Sequence, residues 1–308
     1  MNATSIKNTC LLILLMGFTL SLNAQNLTIG TYNIRLDSED DVRNGNGWTR
    51  RAPYLTQLVE FNDFDVIGMQ EVLYHQLQYI LKALPKYQYT GVGRDDGRQA
   101  GEFSPILYKK DKFDLLKEGH FWLSEQQDHP NKGWDAACVR ICSWAYLKDK
   151  NTKKEFWFFN LHMDHVGVEA RKNSARLILS KIKEMCGSKP AILTGDFNVD
   201  QTNESYKLLA ESGVLFDSYQ VAATRYISNG TYNAFMPNAV SNSRIDHIFV
   251  TKSFSVARYG ILTDSYRTPK TNDSDYNFTD SSKSFYAEDA VARVPSDHFP
   301  VKVIVDFQ

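Results

Sequence analysis

The chain has 308 residues, 43% hydrophobic and 23% charged, with 35 Lys+Arg against 36 Asp+Glu for a formal net charge of −1. It is long enough to bury one large core, and no composition break divides it. Near-neutrality excludes a protein that coats nucleic acid by bulk charge, though it leaves room for a local basic pocket.

Residues 1–24 stand apart: Lys7 precedes the apolar run Leu11–Leu20, and small residues lead to Ala24. That run is too short to span a bilayer, so a cleaved signal peptide is expected. A secreted or periplasmic domain over residues 25–308 would remain, with no stable membrane insertion. Losing Lys7 leaves 34 basic minus 36 acidic residues, or −2. Cys10 lies before the apolar run, the wrong place for a lipid-modified cysteine. Cys138 and Cys142, if on one strand, would stand about 13 Å apart, too far for a disulfide. With Cys186 they are expected to be buried as small hydrophobes.

The mature sequence opens on an alternating strand, Leu27–Asn33. A polar loop rich in Gly and Asn runs through Gly47, and Arg51–Phe61 then carries Leu55, Leu58 and Val59 at helical spacing. Asp65–Glu71 reads as a buried strand. Leu73, Leu77, Ile80, Leu81 and Leu84 mark a second helix, stopped by Pro85. From Tyr87 to Leu147 the pattern is mostly strands and turns, including Ser104–Tyr108 and Cys138–Leu147.

The second half repeats the first. Glu155–His162 is a strand, Val168–Cys186 a helix with Val168, Ala175, Leu179, Ile182 and Cys186 on one face, and Pro190–Thr194 another strand. Each strand–helix–strand unit ends in a carboxylate, "VIGMQE" at Glu71 and "ILTGDFN" at Asp196. Arg244–Val250 and Phe299–Val305 add further strands. Residues 264–294 between them are polar and aperiodic, which suits disorder or a binding loop. Apolar strands flanked by helices in two similar halves predict a layered α/β sandwich of two packed sheets with helices outside.

Polar groups gather where strands end: Asn33, Glu71, His162, Asp196, Asn198, Asp246, Asp297 and His298. One such carboxylate is commonly a turn former or helix cap. Recurrence on separate strands of a layered α/β fold points instead to a ligand site. The residue types suit a hard divalent cation, Mg²⁺ with Mn²⁺ as an alternative, which needs only one or two carboxylates. Glu71, Asn33 and Asp297 would supply them, and no Cys/His cluster has zinc spacing.

A phosphate ester repels nucleophiles through its own charge, which a metal, histidines and amides offset. Asp196 would orient or deprotonate water, with Asn198 two residues on pointing the same way. His298 would face the phosphate while Asp246 fixes its tautomer and raises its pKa. In "HMDH" the spacing suits a helix better than a strand as a metal site, so His162 is expected at the phosphate rather than paired with His165 on a metal. Arg140 interrupts the apolar "CVRICSWAYL" and needs an anionic partner, either an internal acid or the substrate phosphate. Trp48, Trp122, Trp134 and Tyr266 read as packing residues. Arg35, Arg267 and Lys270 are candidates for local positive charge, although such groups are usually just solvated.

"TYNIR", "GMQEV", "NLHMDH", "TGDFN", "RIDHIFV" and "PSDHFP" together resemble, in order, the successive motifs of the endonuclease/exonuclease/phosphatase superfamily. They run from Asn33 to Pro300, nearly the whole mature chain. The resemblance implies a four-layered α/β sandwich of two packed, mainly antiparallel or mixed sheets. It implies Glu71 as principal Mg²⁺ ligand with Asn33 beside it, Asp297 at metal or phosphate, and Asp196 activating water. It further implies Asn198 and His162 on the phosphate, and His298 paired with Asp246. The abasic-site branch has an acid where this chain has Arg35, which argues against a second metal there. The expected activity is Mg²⁺-assisted in-line attack of water on a phosphomonoester or phosphodiester, with a phosphorylated small molecule or a phosphodiester as substrate. A nuclease is the alternative, disfavoured by net charge, and a non-catalytic phosphate-binding protein on the same scaffold is the rival from another class.

Overall fold

The computed structural model describes residues 26–226, 228–269 and 290–308. Residues 1–24, Lys270 and most of the 264–294 stretch lie outside the described residues. The first half runs β1 (Leu27–Asn33), α1 (Glu39–Arg43), α2 (Trp48–Asn62), β2 (Val66–Gln70), α3 (Tyr74–Ala83), β3 (Tyr87–Thr90), β4 (Ile106–Lys109) and β5 (Phe113–Trp122). Next come β6 (Ile141–Asp149), β7 (Glu155–His162), α4 (Val168–Cys186), β8 (Ala191–Asp196), α5 (Glu204–Ala210), β9 (Phe216–Asp217) and α6 (Ser218–Val221). The chain closes with β10 (Thr224–Tyr226), β11 (Asp246–Val250), β12 (Phe254–Ile261), β13 (Tyr266–Pro269), β14 (Ala290–Arg293) and β15 (Val301–Phe307). Among the described residues no helix is long and apolar enough to cross a membrane.

Two mixed sheets form the centre, a seven-stranded one ordered β10-β12-β15-β1-β2-β4-β3 and a six-stranded one ordered β5-β6-β7-β8-β11-β9. The repeated unit of the sequence is visible in both. β1 and β2 pair in parallel across the α2 connection, and β7 and β8 do so across α4. An antiparallel strand flanks each unit, β15 beside β1 and β11 beside β8. Strands β13 and β14 form a separate two-stranded antiparallel sheet.

Three apolar clusters define four layers. Leu27, Ile29, Val66, Phe156, Phe158, Ile192, Ile248 and Val301 fill the space between the sheets. Leu55 and Val59 of α2 and Leu77 and Ile80 of α3 cover Ile67 and Met69 on the outer face of the first sheet. Ile178 and Ile182 of α4 and Leu209 of α5 cover Phe159, Leu161 and Leu193 on the second. Successive strand residues face opposite sides, so β1, β2, β4, β6, β7, β8 and β11 each serve two clusters by parity, whereas β12 and β15 serve the inner one alone.

That parity builds the polar centre. Leu27 and Ile29 face the inner layer, and two further steps along β1 bring Thr31 and then Asn33 onto the same face. Phe156 and Phe158 are followed in the same way by Asn160 and His162, and Ile192 by Thr194 and Asp196. The inner layer thus changes from apolar to polar toward one end of the strands. Where it changes, Asn160 pins the sheets together. Its Nδ2 donates to the carbonyls of Met69 (2.7 Å) and Pro105 (3.0 Å), and its Oδ1 accepts from Gln70 Nε2 (2.7 Å) and Thr194 Oγ1 (3.0 Å). Gly68 permits this approach, since a Cβ there would lie 2.3 Å from Asn160 Oδ1 and 2.4 Å from Thr194 Oγ1.

The sequence reading needs correction in places. On α4 the buried set is Ala170, Ser174, Ala175, Ile178, Ile182 and Cys186, whereas Val168 is 61% exposed and Leu179 only partly buried. The helix turns its small residues toward the sheet, a choice of close packing over hydrophobicity. β6 begins at Ile141, so Cys138 and Arg140 precede the strand. Cys142 and Cys186 are buried free thiols as expected, but Cys138 is only partly buried.

Replacing Asn160 by Leu removes four buried hydrogen bonds, although Pro105 O keeps Met69 N (2.9 Å) and Gln70 Nε2 keeps Thr31 Oγ1 (3.1 Å). The expected loss is about 3 kcal/mol or more, read as a lower urea midpoint. A midpoint like that of the wild type would show that the sheets are held elsewhere.

Candidate active site

The polar end of the inner layer opens into a cleft of about 520 Å³. Glu71, His162, Asp196, Asn198, Asp297, His298 and Arg140 all line it. Asn33 and Asp246 are fully buried immediately behind. The ladder registers explain the convergence: Asn33 stands opposite Gln70, and Asp196 opposite both His162 and Asp246.

Asp196 is the centre. Its Oδ1 accepts from the backbone N–H of Asn198 (2.9 Å), and its Oδ2 from Asn33 Nδ2 (3.0 Å). The same Oδ2 lies 3.5 Å from His162 Nε2 and 3.8 Å from His298 Nε2. Asn33 Nδ2 also donates to Glu71 Oε1 (3.0 Å), which links carboxylates from the two sheets through one amide. Asn33 Oδ1, the atom a metal would take, instead accepts from the backbone of Arg35 (3.0 Å). Burial, and next the charge of Asp246, push the Asp196 carboxyl up to about 7.

The two histidines differ. His298 Nδ1 lies 2.8 Å from Asp246 Oδ2, both groups being buried. Burial disfavours its charge, but Asp246, Asp196 and Asp297 outweigh burial and hold His298 well above the ordinary imidazole value. His162 is driven well below that value by burial and then by Arg140 and Arg94. Neutral His162 accepts from Asn198 Nδ2 (3.0 Å) at Nε2, which leaves the ring proton on Nδ1, 3.7 Å from Glu102 Oε2.

Glu71 and Asn198 both sit just past a buried strand in the left-handed region, with φ of 60° and 51°. Asn tolerates this conformation, whereas for Glu it costs of order 1–3 kcal/mol. The turn aims the Glu71 carboxylate back at the centre, where Oε2 also accepts from Leu36 N (3.2 Å). Asp297 is raised by burial and by the nearby Glu71, with His298 and Arg35 opposing. Glu71 and Asp297 thus offer hard oxygen donors near enough for the charge of one to raise the other, which fits a divalent cation.

Cations ring the cleft, each anchored by an acid. Arg140 approaches Asp164 (3.4 Å) and donates to His165 Nδ1 (3.0 Å), so it has its internal partner and still faces the cleft. Arg35 donates to Asp41 (2.8 Å) and lies 3.7 Å from Asp297. Cys138, Asp164 and His165 stand close enough to suggest a metal group. The Asp164 oxygens, however, are already taken by the backbone N–H groups of Cys138, Val166 and Gly167. Arg267 is exposed on β13 and does not line the cleft. Trp48 and Trp122 are buried, and Tyr266 stacks on Tyr54 at 3.7 Å.

Sequence reasoning missed Arg94, Glu102 and Tyr232, all of which line the cleft. Arg94 and Glu102 pair at 2.7 Å across a loop that folds back on itself. The glycines of "GVGRDDGRQAGEF" are the one signal in the sequence for that fold-back. Tyr232 sits in an aperiodic segment that carries no such signal.

The Endonuclease/Exonuclease/phosphatase family model matches residues 30–298. A solved mannosyl-6-phosphatase of Bacteroides thetaiotaomicron VPI-5482 is 51% identical with a TM-score of 0.84, covering 91% of this chain and 100% of that one. A family protein from Bacteroides vulgatus is 36% identical with a TM-score of 0.78, covering 92% and 99%. A curated relative, uncharacterized protein L388 of Acanthamoeba polyphaga mimivirus, is 31% identical over 161 residues, half of this chain. The chain spans 60% of that relative's length. The matched span and the shared two-sheet architecture establish that the chain belongs to the Endonuclease/Exonuclease/phosphatase family, whose members are hydrolases of phosphoester bonds.

Proposed function

We propose that this protein is a metal-dependent phosphomonoesterase that frees phosphate from a phosphorylated sugar by in-line attack of water on phosphorus. The observation that carries the reading is the environment of Asp196. It is a buried carboxylate tied through Asn33 to Glu71, with a charged and a neutral histidine on either side.

In this reading Asp196 holds the water and takes its proton, a task suited to a carboxyl pushed up to about 7. Charged His298, fixed by Asp246, offsets the charge that develops on the phosphoryl oxygens. His162, Asn198 and Arg140 bind and orient the ester. Glu71 and Asp297, with Asn33 behind them, would hold Mg²⁺ or Mn²⁺, which when bound neutralises phosphoryl charge.

The substrate class rests on three supports. The cleft has the volume of a small-molecule site. The charge of −2 expected once residues 1–24 are removed offers no bulk attraction to a nucleic acid. The 51% identical neighbour is a mannosyl-6-phosphatase. Export through residues 1–24, to the periplasm or outside the cell, belongs to the same proposal, and fractionation of expressing cells tests it.

Hydrolysis measured across mannose 6-phosphate, inositol phosphates, nucleotides, bis-p-nitrophenyl phosphate, phospholipids and DNA, as free phosphate from the monoesters and as the released alcohol or shortened strand from the diesters, should favour sugar monoesters and stop with EDTA. Preference for DNA or for the diester would replace this reading with a nuclease or diesterase, and no turnover of any ester would favour a binding protein. Asp196→Asn should slow turnover by about 10²–10⁴-fold with the urea midpoint kept; near-native rates would remove Asp196 as the base. Because the base must be ionised, kcat/KM should fall on the acid side as Asp196 is protonated, with a midpoint no higher than about 7. A rate that climbs as pH falls through that range contradicts the assignment. His298 is held charged by Asp246, so its ring titration followed by NMR should move to lower pH in Asp246→Asn; an unmoved midpoint would dissolve the pair.

A further inference from the structure

Tyr232 stands out because nothing in the core requires it. Its neighbours Thr231 and Asn233 are fully buried, yet Tyr232 is 50% exposed at the cleft and belongs to none of the apolar clusters. Among the described residues its hydroxyl has no hydrogen-bond partner, and its one ring neighbour is His298.

The backbone around it is nonetheless held from the start of β11 and from the segment that leads into β15. Thr231 Oγ1 accepts from the N–H groups of Ile245 (2.9 Å) and Asp246 (3.0 Å), and Phe299 N donates to Thr231 O (2.6 Å). Asn233 N and Ala234 N both donate to Asp297 O, at 2.7 and 3.2 Å, and Tyr232 bridges His298 in antiparallel fashion. Two consecutive residues, Ala234 and Phe235, take positive φ values of 51° and 60° to complete the turn. Strain of this kind persists where the surroundings over-determine the backbone, often beside functional sites. The outcome is a ring fixed 5.2 Å from the His298 ring, nearly edge to face, on the open side of the cleft with Leu36 and Ile245.

We infer that Tyr232 is the platform for the sugar itself, packing its ring against the C–H face of a pyranose whose phosphate lies at His298. This rests on the phosphomonoesterase reading and adds the group on the far side of the ester oxygen. A fixed, half-exposed aromatic face offers apolar contact to ring C–H groups at low entropic cost, and its hydroxyl offers a polar tip to the sugar hydroxyls. An acyclic alcohol presents no such face. Tyr232 is thus a specificity residue, and its removal should be felt in binding.

The test compares the full-length wild type with Tyr232→Ala and Tyr232→Phe on mannose 6-phosphate and glycerol phosphate, with urea midpoints checked. Tyr232→Ala should lose about tenfold more kcat/KM on mannose 6-phosphate than on glycerol phosphate, mainly by a raised KM, while Tyr232→Phe keeps the sugar preference. Equal losses on the two esters, or a loss confined to kcat, would make Tyr232 a structural support for His298 and overturn the inference. A wild type that cleaves neither ester overturns the phosphomonoesterase reading, and this inference with it. One that cleaves both, with no contrast in the Ala variant, overturns the role of Tyr232 alone.

Discussion

Asn160 is where the two sheets agree on their relative position. A buried amide is costly unless all of its bonding capacity is met. Here that capacity is met by Met69, Pro105 and Gln70 from one sheet and Thr194 from the other. Apolar contacts between sheets are non-directional and tolerate sliding; a four-bond amide does not. With β7 locked against β2 at that point, the next inward-facing residues of each strand fall at fixed positions. Those residues are Asn33, His162 and Asp196. The absence of a side chain at Gly68 is part of the same constraint.

The chemistry of the centre follows from crowding like charges in a place with little water. Burial and neighbouring acid charge raise both Asp196 and Asp297 there, and the protein answers with one charged histidine and a ring of anchored guanidinium groups. The same crowding separates the two imidazoles. His298 has a carboxylate on its Nδ1 and is charged, whereas His162 faces Arg140 and Arg94 and is neutral. Backbone strain supplies the remaining precision at Glu71, which leaves its strand in a left-handed turn to present its carboxylate beside that of Asp297.

Much of this arrangement is legible in the residues. Strands β1 and β7 are written as alternating or aromatic runs with the bounds the structure gives them, and the repeated strand–helix–strand unit is plain in both halves. Asn33, His162 and Asp196 could be gathered because each ends an apolar strand at a fixed parity, so that position along the strand implies position in the cleft; Asp246 opens β11, and Glu71, Asn198, Asp297 and His298 stand on the turns beside strands. Legibility fails where partners come from irregular backbone. Arg94, Glu102 and Tyr232 reach the cleft from loops whose course depends on tertiary hydrogen bonds, and no periodicity encodes them. It fails also for Arg140, whose partners Asp164 and His165 are distant in sequence, and for α4, where small residues were chosen for close approach.

The central claim is that Glu71 from one sheet and Asp196 from the other serve a single phosphoryl group. A double-mutant cycle on kcat/KM with Glu71→Gln and Asp196→Asn measures this directly, since groups that act as one unit are strongly non-additive. The account requires the double variant to be about as slow as the slower single one. Losses that multiply, as for independent residues, would contradict it.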